Sequence, residues 1–286
     1  MEHVLKNGKL YLIAVLMVAA SLTWYAVAAE ERSGVLTFAV LDVGQGDAIF
    51  IESPSGTQIL VDGGPNGAVL REVGEVMPFY DRTLDLLVVT NPDKDHFAGF
   101  IDVLRAYEVE RVLEPGTTGA ASEYSLFQQA IENEGAQHML ARRGQVYDLG
   151  GGATLAILFP DRDVSGLDTN DGSIVAKLTY KATSFLLTGD TTSAVEEYLA
   201  HLDKERLDVD VLKVGHHGSK TSTSDALLGF ASPSIAVISA GRDNKYGHPH
   251  SVVTERLSRF EAETLGTYER GTIILESDGS VVKVLK

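Results

Sequence analysis

Side chains able to hold a cation or move a proton collect at five places in this chain, each just past an apolar run. Asp62-Gly63-Gly64-Pro65 follows Ile59–Val61 and sets a carboxylate at a strand end. Thr90-Asn91-Pro92-Asp93-Lys94-Asp95-His96 follows Leu86–Val89 and alternates oxygen donors, Asn91, Asp93 and Asp95, before an imidazole. Leu186-Leu187-Thr188-Gly189-Asp190 ends a third run in a carboxylate. Val211-Leu212-Lys213-Val214-Gly215-His216-His217-Gly218-Ser219-Lys220 ends a fourth in paired histidines. Asn244-Lys245-Tyr246-Gly247-His248-Pro249-His250 is a donor-rich loop able to contact an oxyanion. Turns that aim several oxygens and imidazoles at one point are what a hard or borderline divalent ion requires. Plainer readings exist for each stretch: Asp62 as a turn aspartate, Asp95 as a helix cap beside a solvated His96, residues 244–250 as a structural loop. The clustering argues against them, because His96, His216, His217, His248 and His250 all fall in these turns, whereas only His3, His138 and His201 lie elsewhere.

The elements that must position these turns alternate short strands with helices. Val35–Leu41, Ala48–Ile51 and Gln58–Val61 read as an antiparallel meander, and Leu84–Thr90 as a strand buried on both faces. A helix is expected over Phe97–Ala106, a strand over Val109–Leu113, and an amphipathic helix over Glu123–Glu134 with Leu126, Phe127, Ala130 and Ile131 inward. The second half continues with strands at Thr154–Phe159, Ser173–Tyr180, Ser184–Leu187 and Val209–Val214, with a helix over Ser193–Leu202. It closes with helices at Asp225–Phe230 and Val252–Glu261 and strands at Ile235–Ser239, Thr272–Glu276 and Val281–Leu285. Two such halves predict a four-layer αββα sandwich of the α/β class, as one domain over residues 30–286.

Composition narrows the chemistry. With no cysteine, disulfides, thiolate zinc sites and a cysteine nucleophile are excluded, and any metal must be held by nitrogen and oxygen. Lys and Arg number 24 against 40 Asp and Glu, a net charge of −16, so broad non-specific gripping of nucleic acid is excluded as well. Lys6 and Lys9 precede an apolar stretch from Leu10 to Ala29, followed by Glu30 and Glu31. That length suits one membrane span, and the flanking charge predicts an extracytoplasmic body. Val27, Ala28 and Ala29 equally suit a cleavage site, so residues 1–29 read as a signal anchor or as a signal peptide that leaves the body secreted.

The residues and their order resemble the metallo-β-lactamase superfamily, and more closely the carboxy-terminal domain of ComEC competence proteins. The resemblance rests on Leu41-Asp42-Val43-Gly44-Gln45-Gly46-Asp47-Ala48, Asp62-Gly63-Gly64, Asp95-His96 with Gly99, Leu187-Thr188-Gly189-Asp190, Lys213 to Ser222 and Tyr246-Gly247-His248-Pro249. It implies an αββα hydrolase in which metal-activated water attacks an ester, amide or phosphodiester. It implies one or two divalent ions, manganese or zinc with magnesium as an option, held by Asp93, Asp95, His96, Asp190, His216 and His217. Asp95 would position or deprotonate the water, while Lys220, Ser219 and His248 would hold non-bridging oxygens. Asp62, Asn91 and Asn170 are further candidates. The superfamily writes its central motif His-x-His-x-Asp-His; here Asn91 and Asp93 replace the leading histidines. Asn170, Asp171 and Ser173 stand where an intermediate histidine is expected. The implied substrate is a phosphodiester, single-stranded DNA in particular. The alternatives are a non-catalytic scaffold on the same fold or a lactam, lactone or thioester hydrolase. ComEC proteins carry a multi-helix membrane portion, so a separate channel protein is an implied partner, beside the membrane itself through residues 10–29.

Overall fold

The computed structural model describes residues 2–29 and 34–286, with side chains for 8–24 and 34–286. The chain divides into two units, residues 1–34 and 35–286. The first holds helix α1 (Glu2–Ala29). Among the described residues no helix is long and apolar enough to cross a membrane. The expected span over residues 10–29 is therefore not supported. The cleavage reading at Val27, Ala28 and Ala29, and the flanking Glu30 and Glu31, fall on side chains and residues outside the described set.

In the second unit, strands β1 (Leu36–Val40), β2 (Ala48–Glu52), β3 (Gln58–Gly63), β4 (Thr83–Val88), β5 (Glu108–Glu114) and β6 (Gln137–Leu140) precede β7 (Val146–Gly150), β8 (Ala153–Phe159), β9 (Val175–Tyr180) and β10 (Thr183–Leu187). Then follow β11 (Val211–Lys213), β12 (Ile235–Ile238), β13 (Glu263–Gly266), β14 (Ile273–Ser277) and β15 (Val282–Val284). The helices are α2 (Ala68–Val76), α3 (Lys94–Phe97), α4 (Phe100–Ala106), α5 (Glu123–Glu134), α6 (Ser193–Asp203), α7 (Asp225–Ala231), α8 (Ser251–Arg259) and α9 (Thr267–Arg270). One eight-stranded sheet runs β15-β14-β1-β2-β3-β4-β5-β6; a seven-stranded sheet runs β13-β12-β11-β10-β9-β8-β7.

Three apolar layers follow from the two-residue period of the strands. Phe38 and Val40 of β1 face Phe185 and Leu187 of β10 in the layer between the sheets, where the Phe38 and Phe185 rings stack at 4.8 Å. The alternate residues Ala39, Phe50 and Leu60 pack outward under Val73, Phe100 and Phe127 of α2, α4 and α5. Leu186 and Leu212 pack outward under Leu199, Leu228 and Leu257 of α6, α7 and α8. The αββα sandwich is thus the fold, and both faces of each sheet are covered, which is why the central strands are apolar throughout.

The helix expected over Phe97–Ala106 is instead two short helices. Gly99 sits between them and turns its N–H to Gly64 O at 3.0 Å, stapling the break to the turn after β3. A Cβ at Gly99 would lie 1.9 Å from Gly63 O, so only glycine permits that approach. Strands β3-β4-β5 and β10-β11-β12 are parallel, and the polar turns leave their carboxyl ends, where an open α/β sheet gathers its reacting groups.

Candidate metal centre

Residues from both sheets meet at these strand ends. Asp62 closes β3, His96 and Asp95 lie in α3 after β4, Asp190 follows β10, and His216 and His217 occupy a 3-10 turn, Gly215–Gly218, after β11. Asp62, His216 and His217 all have positive φ, 60°, 49° and 55°. Non-glycine residues hold that conformation at an expense of roughly 1–3 kcal/mol each, tolerated where the surroundings fix it. Gly189, at φ +50°, has no Cβ to meet Thr90 Oγ1, which would be 2.9 Å away, and so lets the β10 end close against the β4 end.

The imidazoles point inward. His96 Nε2 lies 3.2 Å from Asp190 Oδ2, and His217 Nε2 lies 3.3 Å from Asp95 Oδ2 and 3.7 Å from Asp190 Oδ2. His216 Nε2 is 3.6 Å from the same Asp190 oxygen. Yet His96 Nε2, His217 Nε2 and Asp190 Oδ1 are buried without a hydrogen-bond partner. Buried polar atoms are nearly always satisfied, so three unsatisfied ones around one point indicate a missing partner. The ligand atoms of Asp95, His96 and His217 lie within 4.8 Å of one another, as do those of Asp47, Asp190 and His217. Imidazole nitrogen with carboxylate oxygen suits a divalent cation of borderline hardness.

The far sides of the rings are held by acceptors. His96 Nδ1 is 2.8 Å from Asp62 Oδ2, and Asp62 itself accepts from the Thr90 N–H at 2.7 Å and the Thr90 hydroxyl at 2.6 Å. His217 Nδ1 is 3.1 Å from both Asp47 Oδ1 and Ser239 O, and Lys213 Nζ donates to Asp47 Oδ2 at 2.8 Å. An Nδ1–H donated outward leaves the Nε2 lone pair facing the centre.

Electrostatics follow from burial and crowding. Burial opposes charge on His217, but Asp190 and Asp47 outweigh it and push the ring up to about 10. Burial likewise opposes charge on His96, which Asp190 and Asp62 override to hold it well above the usual imidazole range. Burial drives Asp190 toward neutrality, yet His96 and His217 keep it far below the ordinary carboxyl value. Asp47 is also held low, Lys213 and His217 together overcoming its burial. His248 goes the other way, down to about 4, through burial and then the charges of His217 and His216.

The remaining candidates are distributed as follows. His248 lies against the centre, its ring 5.8 Å from that of His216 and 6.3 Å from that of His217. Asp93 stands outside these convergent groups, as the N-cap of α3. Asn91 is fully buried and donates through Nδ2 to Asn170 Oδ1 at 2.7 Å, while its Oδ1 accepts the Asp93 N–H at 3.0 Å. A backbone N–H can only donate, so that bond fixes which end of the Asn91 amide faces Asn170. Asp171 accepts from the Thr192 hydroxyl, and Ser173 bonds Thr169 O. The Ser219 hydroxyl pairs with Thr221 Oγ1, which lies 3.3 Å from His216 Nδ1. The Lys220 side chain is exposed, and its backbone N–H goes to His250 Nδ1 at 3.2 Å. Asp47 and Lys213 were not singled out as site residues in the sequence; a lone lysine inside the apolar run Val211–Val214 was the available signal.

The fold and this convergence of donors are those of the metallo-beta-lactamase superfamily, to which the chain belongs, the family matching residues 41–242. Within it, the chain is 31% identical over 254 residues to "ComE operon protein 3" of Bacillus subtilis (strain 168), covering 82% of this chain and 32% of that protein. It is 30% identical over 264 residues to "Competence protein ComA" of Neisseria gonorrhoeae, covering 91% and 35% respectively. These relatives agree with the ComEC-type resemblance, and the chain spans about a third of their length. The metallo-beta-lactamase fold protein YhfI of Bacillus subtilis superposes with a TM-score of 0.57 at 13% identity, over 85% of this chain and 100% of that one, and shows the fold alone.

Proposed function

We propose that this chain is a metal-dependent hydrolase of phosphodiesters, with single-stranded DNA as its substrate class. The observation that carries the reading is that His96 Nε2 and His217 Nε2 both face the Asp190 carboxylate, and that these nitrogens and Asp190 Oδ1 are buried without hydrogen-bond partners. Asp95, His96, Asp190 and His217 would hold the ion, with His216 at its edge. Bound there, a divalent cation supplies Lewis acidity toward a phosphoryl oxygen and lowers the pKa of water.

The chain's own groups do the rest. Asp95 is the one carboxylate of the set with appreciable exposure, 33% of its side chain, and so faces an incoming water or substrate. Burial works against its charge, but the neighbouring rings of His217 and His96 keep it an anion that can orient that water and take its proton. His248, neutral at physiological pH, offers its one ring N–H as a hydrogen bond to a non-bridging phosphoryl oxygen. Asp62 and Asp47 hold the two inner rings in the tautomer that faces inward. The supporting names are those of competence relatives, which also favour a place beside a membrane-associated DNA-uptake apparatus.

The donor set favours one ion over two, because the side-chain oxygens of both asparagines already have partners, Asn170 Oδ1 accepting from Asn91 Nδ2 and Asn91 Oδ1 from the Asp93 N–H. Mixed nitrogen and oxygen ligation suits manganese or zinc ahead of magnesium. Hydrolysis of single-stranded DNA and of bis-p-nitrophenyl phosphate, compared between the natural chain and Asp190→Ala, tests the reading; equal rates would remove it. The Asn91–Asn170 bond also favours a second reading, a scaffold on a degenerate site, for which purified protein would retain no divalent ion at micromolar supply.

A further inference from the structure

We propose that the cavity beside Asp95 is a nucleobase subsite with Tyr246 as its stacking surface, so that a strand is gripped by the base next to the reacting phosphodiester. The proposal rests on the hydrolase reading for its substrate.

A cavity of about 590 Å³ opens between the loop after β1, the turn after β3, the start of α3 and the loop after β12. Its walls include Gln45, Asn66, Lys94, Asp95, Lys245 and Tyr246. Asp95 also touches His217, so the cavity and the metal centre share a wall. Tyr246 is 54% exposed. It is nonetheless fixed in place, stacked on His248 with centroids 5.7 Å apart and planes at 23°, and His248 in turn packs against His216. A row of rings therefore leads from the cavity to the centre.

The loop that presents Tyr246 is stapled by one side chain. Asn244 Nδ2 donates to Gly241 O at 2.7 Å and His248 O at 2.6 Å, and its Oδ1 accepts from the N–H groups of Tyr246 at 3.1 Å and His248 at 2.9 Å. A ring already held loses little freedom when a ligand stacks on it.

Charge decides what such a site can grip. Lys94 is paired with Glu123 and the Lys245 ammonium lies over the Tyr246 ring, 5.1 Å from its centroid, while Asp95 and Asp243 stand in the same walls, in a chain of net charge −16. Backbone attraction alone is therefore weak. Stacking does not depend on charge, and every base offers a π-face. Only an unpaired base can turn out to meet Tyr246, which selects single strands over duplex.

The test compares binding of two phosphorothioate-linked strands, which resist cleavage, one of thymidine residues and one of abasic residues, to the metal-supplied full chain by fluorescence anisotropy. The natural chain and Tyr246→Phe should prefer the base-bearing strand by about tenfold, the scale of one stacked base. Tyr246→Ala should bind both alike, at the abasic level. A preference that survives Tyr246→Ala, equal binding of both strands by the natural chain, or an equal loss for both strands in Tyr246→Ala would each overturn the subsite. A Tyr246-dependent preference without any hydrolysis of single-stranded DNA would sink the hydrolase reading and leave the subsite standing. Hydrolysis without the preference would do the reverse.

Discussion

Replacing Asp47 by asparagine should separate the metal-holding role of His217 from the packing beneath it. Asp47 touches no exposed surface; it accepts from Lys213 Nζ at 2.8 Å and lies 3.1 Å from His217 Nδ1, and both partners are buried. An amide of the same shape leaves the ammonium of Lys213 without a counter-charge. Removing one partner of a buried pair costs about 3–5 kcal/mol. At roughly 2–4 °C per kcal/mol for a domain of this size, melting should fall by about 6–20 °C. The amide oxygen can still accept from His217 Nδ1, so the ring stays in place but loses the charge that raises its basicity. Loss of such support weakens metal binding about 10–100-fold, and with the geometry kept the lower end applies, about 1.4 kcal/mol. Chelator competition gives the metal Kd, and thermal melting the stability. The double variant Asp47→Asn/Lys213→Met removes the stranded cation, and should recover most of the lost melting temperature but none of the affinity. A folded Asp47→Asn chain with unchanged metal Kd, or a double variant that recovers both quantities, would refute the argument.

Other expectations follow from the same geometry. Because carboxylates raise His217 to about 10 and lift His96 as well, their contribution to the stability of the metal-free chain is full below about 6.5 and fades as pH rises toward 10. Melting in excess chelator at pH 7 and pH 10 should show the alkaline sample less stable, and a flat profile would contradict the assignment. Cation binding must expel those protons, so apparent metal affinity should climb with pH between 6 and 9 by up to about tenfold per unit for each proton displaced, as titration calorimetry in buffers of different ionisation enthalpy can count. Asn91→His with Asn170→His should raise the ion count by metal analysis from one to two per chain; a second ion already present in the natural chain would sink the single-ion reading. Arg143→Met strands the buried Asp203, which Arg143 holds with both ends of its guanidinium, and should lower stability by about 3 kcal/mol in denaturant titration.

Much of this arrangement was legible because the apolar runs are long and their ends polar. The helix Glu123–Glu134 was readable in its bounds, since Phe127 and Ile131 mark its inner face and Gly135, at φ 79°, stops it, but Leu126, expected inward, is 51% exposed on its outer side. Helix α2 escaped because it is short and interrupted by Gly74, and its partner contacts, not its propensity, hold Val69 and Val73 inside. Strands β6 and β7 lie at the edges of their sheets with exposed, polar-rich residues, so they carry little period-two signal. Single donors could be read at turns, but pairings could not. Nothing local links Asp47 to Lys213 across 166 residues, or Asn91 to Asn170 across 79.

Those long-range pairings also explain why the site occupies this end of the sandwich. Asp62, Asp95 and His96 come from one sheet and Asp190, His216 and His217 from the other, and Asp47 N–H reaches Asp95 O at 3.1 Å to join the β1–β2 loop to α3. Four carboxylates, Asp47, Asp62, Asp95 and Asp190, crowd a space in which Lys213 is the only permanently charged cation among the residues described as bonded to them. In the absence of a metal, only protonated rings offset the remaining charge, which is why His96 and His217 titrate so high. A divalent ion would take over that task and tie the two sheets together. Metal loading should therefore stabilise the whole sandwich, by RT ln(1 + [M]/Kd), or about 2.7 kcal/mol at a hundredfold excess over Kd. A melting temperature indifferent to manganese and zinc would show that the two halves close without help from a cation.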